Sequence, residues 1–240
     1  MTVFNSYIQA FQQLGFYLSN GAIWKFIIPS VVVTVFYGLL FLMFSFILAP
    51  LNLLTFLPWV GDFIQNTYDW LWNSSLSVVF YAQSFTVLTL LSPFMSLLSS
   101  KCDEMTTGFV DEYSTARLIS DLWRAVKLNI RLFILYLITA AVILWLIQPL
   151  LGETVAKGLS YLLSSYLFGF SLFDYNFERY QMNISTTFKK GNTNWIVLLI
   201  GGTLFQFIYV IPILGTLFAP FLVTIITTHV FITTKDSWIR

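Results

Sequence analysis

Apolar residues recur at helical spacing over the first part of the chain, and the polar residues Asn5, Gln9, Gln12 and Gln13 fall between them. Apolar positions that repeat every three or four residues form one face of a helix. A helix with one apolar and one polar face lies in the plane of a membrane interface. Residues 1–20 are therefore predicted to form an interfacial helix.

Two mainly apolar stretches follow, and each is long enough to cross a bilayer. About 20 apolar residues span the hydrocarbon core, and residues 22–48 and 76–98 both contain such a run. The segment 49–74 between them contains Pro50, Pro58 and Gly61. Since Pro and Gly interrupt regular structure, this segment is predicted to be a loop with short interfacial pieces.

Charged residues are concentrated in residues 101–131. The second half of this segment has apolar residues on one side of a helix and basic residues on the other, which predicts an amphipathic segment at the cytoplasmic surface.

The rest of the chain is predicted to form two helical hairpins, at residues 132–173 and 191–234, each divided by Pro and Gly. Their limbs lie at the lower edge of the length needed for a full span, so each hairpin either crosses the membrane or dips in and returns. Backbone that turns inside a bilayer needs protein or water around it. We therefore expect the Pro-Gly tips, Pro149–Gly152 and Pro212–Gly215, to be packed inside protein.

The composition defines the class of protein. The chain has 240 residues, of which 58% are hydrophobic and 10% are charged, whereas a soluble domain is about 25% charged. This excludes a soluble enzyme and a nucleic-acid binder, and the net charge of +1 implies no strongly charged partner. The sequence thus predicts an all-α, polytopic membrane protein with a single membrane domain over residues 1–240.

The distribution of Lys and Arg predicts the orientation. When the predicted segments are alternated across the membrane, every basic residue except Lys157 lies on one side. Loops rich in Lys and Arg stay in the cytoplasm. Both termini are therefore expected to be cytoplasmic.

No catalytic or metal-binding motif is recognisable in the sequence. One histidine, His229, and one cysteine, Cys102, are too few for a Cys/His metal site. We expect no enzymatic activity, metal or cofactor. His229 is predicted to be a hydrogen-bonded packing residue, and the Gly201–Gly202 pair is predicted to allow two helices to approach closely.

Two groups of residues are candidates for anion binding. Gly21, Trp24 and Lys25 lie where the first span begins, and free amides at a helix start together with one Lys can hold an oxyanion. A Trp and a Lys at this place are equally typical of an interfacial anchor.

The second group is a basic stripe that contains Arg117, Arg124 and Lys127. It could form an electropositive vestibule that concentrates anions. Alternatively, it anchors a helix to lipid phosphates.

Five short motifs, in a consistent order, resemble those of the CysZ-like sulfate transporters within the etoposide-induced-protein family. They are Gly21 with Lys25–Pro29, Ser92–Phe94, Pro149–Ala156, Asp174–Glu178 and Pro212–Pro220. The resemblance implies two long spanning helices, two hairpins that penetrate the membrane partly, oligomerisation, and sulfate or a similar oxyanion as cargo. In bacterial sulfate-transporting members the turn before the first span carries two adjacent arginines that bind sulfate, where this chain has Trp24 and Lys25.

We therefore expect a transporter or channel for a small anion, sulfate being the first candidate, in the cytoplasmic (inner) membrane of a bacterium. Since no nucleotide-binding motif is present, transport would proceed without ATP hydrolysis. The expected partners are membrane lipids, a small inorganic anion and further copies of the chain, but no nucleic acid. The alternative is a membrane scaffold without transport activity, as eukaryotic relatives of the domain suggest.

Overall fold

The computed structural model describes residues 3–52, 58–108, 115–211, 213–235 and 238. Within these ranges it describes the side chains of all residues except 41–42, 44–80 and 115–116. All regular secondary structure in these ranges is helical. The α-helices are α1 (Val3–Ser19), α2 (Ile28–Asn52), α3 (Pro58–Thr107), α4 (Thr115–Val142), α5 (Gln148–Leu151), α6 (Glu153–Arg179), α7 (Ile184–Thr193), α8 (Trp195–Tyr209) and α9 (Leu214–Thr233). A 3₁₀ turn at Trp24–Ile27 precedes α2, and a π-helical turn at Ile143–Ile147 follows α4.

Three of the described helical stretches are long and apolar enough to cross a membrane. They are Tyr81–Thr107, Arg117–Leu151 and Leu214–Thr233. A fourth crossing is possible where Val3–Ser19 and Trp24–Leu40 meet at a bend of 100°. The predicted class, an all-α polytopic membrane protein, is confirmed.

The first helix, α1, has two apolar faces. Tyr7, Ala10 and Tyr17 are buried against the bundle, and the Tyr7 hydroxyl donates a 2.7 Å hydrogen bond to the carbonyl oxygen of Val197 in α8. On the other side Phe4 and Phe11 are exposed. A helix that is bent sharply from the next one and exposes a second apolar face suits a position at the membrane interface.

Three segment boundaries differ from those that the sequence predicts. Helix α2 continues to Asn52 and α3 begins at Pro58, within the segment expected to be a loop. Pro is favoured in the first turn of a helix, where its missing N–H has no intrahelical partner, and Pro93 lies inside α3 without ending it. Helix α4 likewise continues without a break past residue 131, where the amphipathic segment was expected to end.

Helix α6 is the centre of the bundle, because nearly all of its second half is buried. It crosses α8 at two glycines. A Cβ atom on Gly202 would lie 1.6 Å from the carbonyl oxygen of Ser165, and one on Gly169 would lie 1.8 Å from that of Leu198. The two backbones therefore touch, as small residues allow in membrane proteins. The predicted role of the Gly201–Gly202 pair is confirmed.

The first Pro-Gly tip is exposed in the single chain, so the prediction that it is packed inside protein is wrong. Leu150 is 72% exposed and Leu151 is 62% exposed. The reason is that Gly152, at φ +85°, closes the turn by itself: its N–H donates to the Gln148 carbonyl oxygen at 2.9 Å. In the second tip, Pro212 lies outside the described residues, Ile213 is exposed and Gly215 is buried.

Candidate anion site at the basic end of the bundle

The turn between α1 and α2 brings Gly21, Trp24 and Lys25 together. The indole N–H of Trp24 donates to the Leu18 carbonyl oxygen at 2.9 Å, and its ring lies 5.7 Å from that of Phe221. Lys25 is exposed, with its Nζ 5.1 Å from the centre of the Phe26 ring. Trp24 thus fixes the turn, and Lys25 supplies its positive charge.

Several amides of this turn are already hydrogen-bonded. The N–H of Ala22 donates to the Asn20 side chain at 3.0 Å, and the N–H of Ile23 donates to the Asn20 carbonyl oxygen at 3.1 Å. The Phe26 N–H donates to the Ile23 carbonyl oxygen at 3.0 Å. An anion at this turn would therefore depend mainly on the Lys25 ammonium group.

The basic stripe of α4 is divided among three environments. Arg124 turns inward and binds the Asp174 carboxylate with two hydrogen bonds, of 2.7 and 3.3 Å. It also donates to the Thr187 hydroxyl at 2.9 Å and to the Met182 carbonyl oxygen. Lys127 is exposed, with its Nζ 5.6 Å from the Trp123 ring centre. Arg117 donates to the carbonyl oxygen of Arg179, 3.3 Å away.

Two buried carboxyl groups lie beside the Arg124–Asp174 ion pair. Glu178, in the last turn of α6 and outside the candidate spans, is 4% exposed, and Asp121 is 6% exposed. Burial raises the pKa of Glu178 well above its usual range. The negative charges of Asp174 and Asp121 raise this pKa further, against the opposite effect of Arg124. Glu178 therefore keeps its proton to a higher pH than an exposed carboxyl group does.

A cavity of about 460 Å³ opens at the same end of the bundle, between the ends of α3 and α6, the start of α4 and the residues that follow α9. The described residues of its wall are Asp103, Thr107, Arg117, Arg179, Tyr180, Gln181 and Lys235. Three of these side chains are basic and one is a carboxylate. The Arg179 guanidinium and the Asp103 carboxylate form a buried ion pair at 3.0 Å. Lys235 adds a positive charge at the exposed side of this part of the wall.

Tyr180 organises the cationic wall of this cavity. The Lys235 Nζ lies 4.6 Å and the Arg179 guanidinium carbon 5.0 Å from the centre of its ring. The chain turns after α6 with Gln181 at φ +53°, and the Gln181 N–H donates to the Glu178 carbonyl oxygen at 2.8 Å. A cation above an aromatic face is attracted by the negative face of the ring, so Tyr180 stabilises both the exposed Lys235 and the buried Arg179.

The cavity was not predicted from the sequence, because Asp103, Arg179 and Lys235 lie in separate parts of the chain. The positive-inside pattern was the available signal, since it places these residues on one side of the membrane. Among the described residues, no three His, Cys, Asp or Glu side chains are grouped as metal ligands.

His229 joins three helices close to this end. Its Nδ1 and the hydroxyl of Tyr17 share a hydrogen bond of 2.8 Å, and the Tyr17 hydroxyl also contacts the Thr106 hydroxyl at 2.7 Å. The predicted role of His229 as a hydrogen-bonded packing residue is confirmed. Because Asn20 also contacts Met105, the turn that carries Lys25 lies at the same end as the cavity.

These features define a helical multi-pass membrane protein with a cavity lined by basic side chains at one end. A sequence model of the family described as sulfate transporter CysZ/etoposide-induced protein 2.4 matches residues 9–220. The chain therefore belongs to this family, as its motifs indicated. A search of curated proteins found no match.

Proposed function

We propose that this protein is a transporter or channel that moves a small inorganic anion, with sulfate as the first candidate, across the bacterial inner membrane. The basic cavity is the observation that carries this proposal. Among the described residues of its wall, three side chains are cationic and one is a carboxylate, and a cleft in which one sign of charge predominates concentrates ions of the opposite sign. The family match supports sulfate as the cargo to test first.

The size of the cavity favours a vestibule over a tight binding pocket. A water molecule occupies about 30 Å³ in the liquid, so a cavity of about 460 Å³ has room for a small anion with its hydration shell. In this proposal the anion keeps most of its water while Lys235 attracts it. Lys25 provides a second contact at the same end of the bundle.

The orientation follows from the basic residues. We place the cavity and both termini in the cytoplasm, because Lys and Arg are retained there. The anion would then leave the membrane through the cavity on its way into the cell. The lack of a nucleotide motif supports transport without ATP hydrolysis.

The test is uptake of labelled sulfate into proteoliposomes that contain equal amounts of each variant. We expect Lys25→Ala to lower the apparent affinity for sulfate about 10- to 150-fold, since a charge-assisted hydrogen bond contributes about 1.5–3 kcal/mol. Lys25→Arg should keep or improve it, because a guanidinium binds an oxyanion with two parallel hydrogen bonds. Lys235→Ala should slow uptake, and the exposed Lys189→Ala is the matched control.

Unchanged uptake in Lys25→Ala and Lys235→Ala would reject both contacts. If the folded protein carries no sulfate at all, the second candidate, a membrane scaffold, replaces the first. The observation that favours a scaffold is the neutralisation of Arg124 by Asp174 and of Arg179 by Asp103, since buried ion pairs between helices fix their arrangement.

A further inference from the structure

An apolar groove runs along the outer side of the bundle between α3 and α4. It has a volume of about 270 Å³ and lies between Phe85 and Thr86 on one side and Ile130, Phe133 and Ile134 on the other. Both walls belong to candidate membrane spans. When these two helices span the membrane, the part of the groove at Phe133 and Ile134 faces the hydrocarbon of the bilayer.

The polar groups in the walls of the groove are already hydrogen-bonded within the protein. The hydroxyl of Thr86 donates to the Ala82 carbonyl oxygen at 2.7 Å, and that of Thr89 donates to the Phe85 carbonyl oxygen at 2.7 Å. The Asn129 amide donates to the Thr89 hydroxyl at 2.8 Å, and its oxygen accepts from Ser171. The groove thus offers apolar contacts to its occupant.

Two cations lie on the exposed side of α4 beside this groove. Lys127 and Arg131 are four residues apart, so their side chains share one face of the helix. Both are exposed, and neither forms an ion pair with another residue in the described part of the chain. Arg124, one turn earlier, turns inward to Asp174 instead. The exposed pair is therefore available to an anionic group from outside the chain.

We propose that the groove holds one acyl chain of an anionic phospholipid whose phosphate is bound by Lys127 and Arg131. Residues 126–134 of α4 rise about 12 Å along the helix axis. The groove therefore begins at the level of Lys127 and extends past Arg131 toward the hydrocarbon. Trp123, 60% exposed and in contact with Lys127, lies at the headgroup level, where Trp side chains are enriched.

Charge complementarity favours this occupant over a second copy of the chain. A neighbouring apolar helix in the groove would cover Lys127 and Arg131 without neutralising them, and burying an unpaired charge is costly. An anionic lipid supplies both an apolar chain and a phosphate. This inference does not depend on anion transport, because its ligand is a component of the membrane.

The test measures lipid binding to purified protein in detergent. Phosphatidylglycerol and phosphatidylcholine are titrated separately, and the lipid-bound species are counted by native mass spectrometry. The wild-type protein should prefer phosphatidylglycerol, and the Lys127→Ala/Arg131→Ala double variant should lose roughly 30-fold in affinity for it. The matched control is Lys189→Ala/Lys190→Ala, which removes the same charge from α7 and should keep the preference.

A second pair of variants tests the acyl chain. Ala82→Leu adds volume inside the groove, and Ala141→Leu adds the same volume at an exposed position of α4 outside it. Ala82→Leu should weaken binding of both lipids, whereas Ala141→Leu should not. Two outcomes would overturn the proposal. One is an equal loss of lipid affinity in Lys127→Ala/Arg131→Ala and Lys189→Ala/Lys190→Ala, and the other is an equal loss in Ala82→Leu and Ala141→Leu.

Discussion

Charge at the basic end of the bundle is unevenly compensated. Arg124 forms an ion pair with Asp174, and Glu178 and Asp121 lie beside that pair. The pKa of Glu178 is raised mainly by burial. A carboxyl group whose pKa is higher in the folded than in the unfolded protein keeps its proton in the folded state. Stability is therefore lost as the pH rises above about 4.5, the unperturbed value for Glu.

Glu178→Gln tests this directly, because an amide resembles the protonated acid. At pH 8 we expect the variant to be more stable than the wild-type protein by on the order of 1–3 kcal/mol and to lose less stability between pH 5 and pH 8. Thermal unfolding in detergent across this range is the measurement. The control is Glu153→Gln, which changes an exposed carboxylate paired with Lys157. It should change the thermal stability and its pH dependence only slightly. Parallel pH profiles for the wild-type protein and Glu178→Gln would contradict the raised pKa of Glu178.

The partners of single residues were the part least accessible from the sequence. Arg124 lies near Arg117 and Lys127 on the helix surface, so the pattern grouped the three. The partner of Arg124, Asp174, is 50 residues away, and a long flexible side chain can reach inward from the edge of a helix face. The roles of His229 and Gly202 were predicted correctly. A lone polar residue in an apolar helix forms a hydrogen bond within the protein, and a small residue there allows close helix packing.

At the level of helices, the close crossing of α6 and α8 determines how the core is built. A methyl group on Gly202 would overlap the backbone of Ser165, and backbone cannot move aside as a flexible side chain can. We expect Gly202→Ala to destabilise the protein by about 1–3 kcal/mol through overpacking. Gly158→Ala is the control in α6, because a Cβ there meets nothing within 4 Å. It should stabilise the helix by about 0.5–1 kcal/mol. Thermal unfolding of both variants checks the prediction, and similar changes in both would show that the crossing tolerates a methyl group.

Helix existence was predictable here, but helix ends were not. Long apolar runs identify spans because a bilayer of fixed thickness demands them. Pro58 predicts a loop but begins α3, and Pro93 lies within the same helix. Proline in a membrane helix is tolerated where neighbouring groups satisfy the backbone, and such neighbours are visible only in the assembled bundle.

For the whole molecule, the central question is which end faces the cytoplasm and whether the first hairpin crosses. The tip of this hairpin carries an exposed ion pair, Glu153 with Lys157 at 2.6 Å. Charged side chains at the end of a hairpin favour water over hydrocarbon. The stretch Arg117–Leu151 that leads to this tip is itself long enough to span. We therefore expect the tip to reach the outer surface.

Cysteine accessibility in intact cells tests both points together, in a Cys102→Ser background that removes the single native thiol. A membrane-impermeant reagent added outside should label Asp62→Cys and Glu153→Cys, whereas Lys190→Cys should react only after the cells are opened. Labelling of Lys190→Cys from outside, with protection of the other two, would mean that the basic end is external, against the charge distribution. Protection of Glu153→Cys alone would mean that the hairpin dips into the membrane and returns. Labelling of all three positions from outside would indicate insertion in both orientations, and the argument from Lys and Arg would then be wrong.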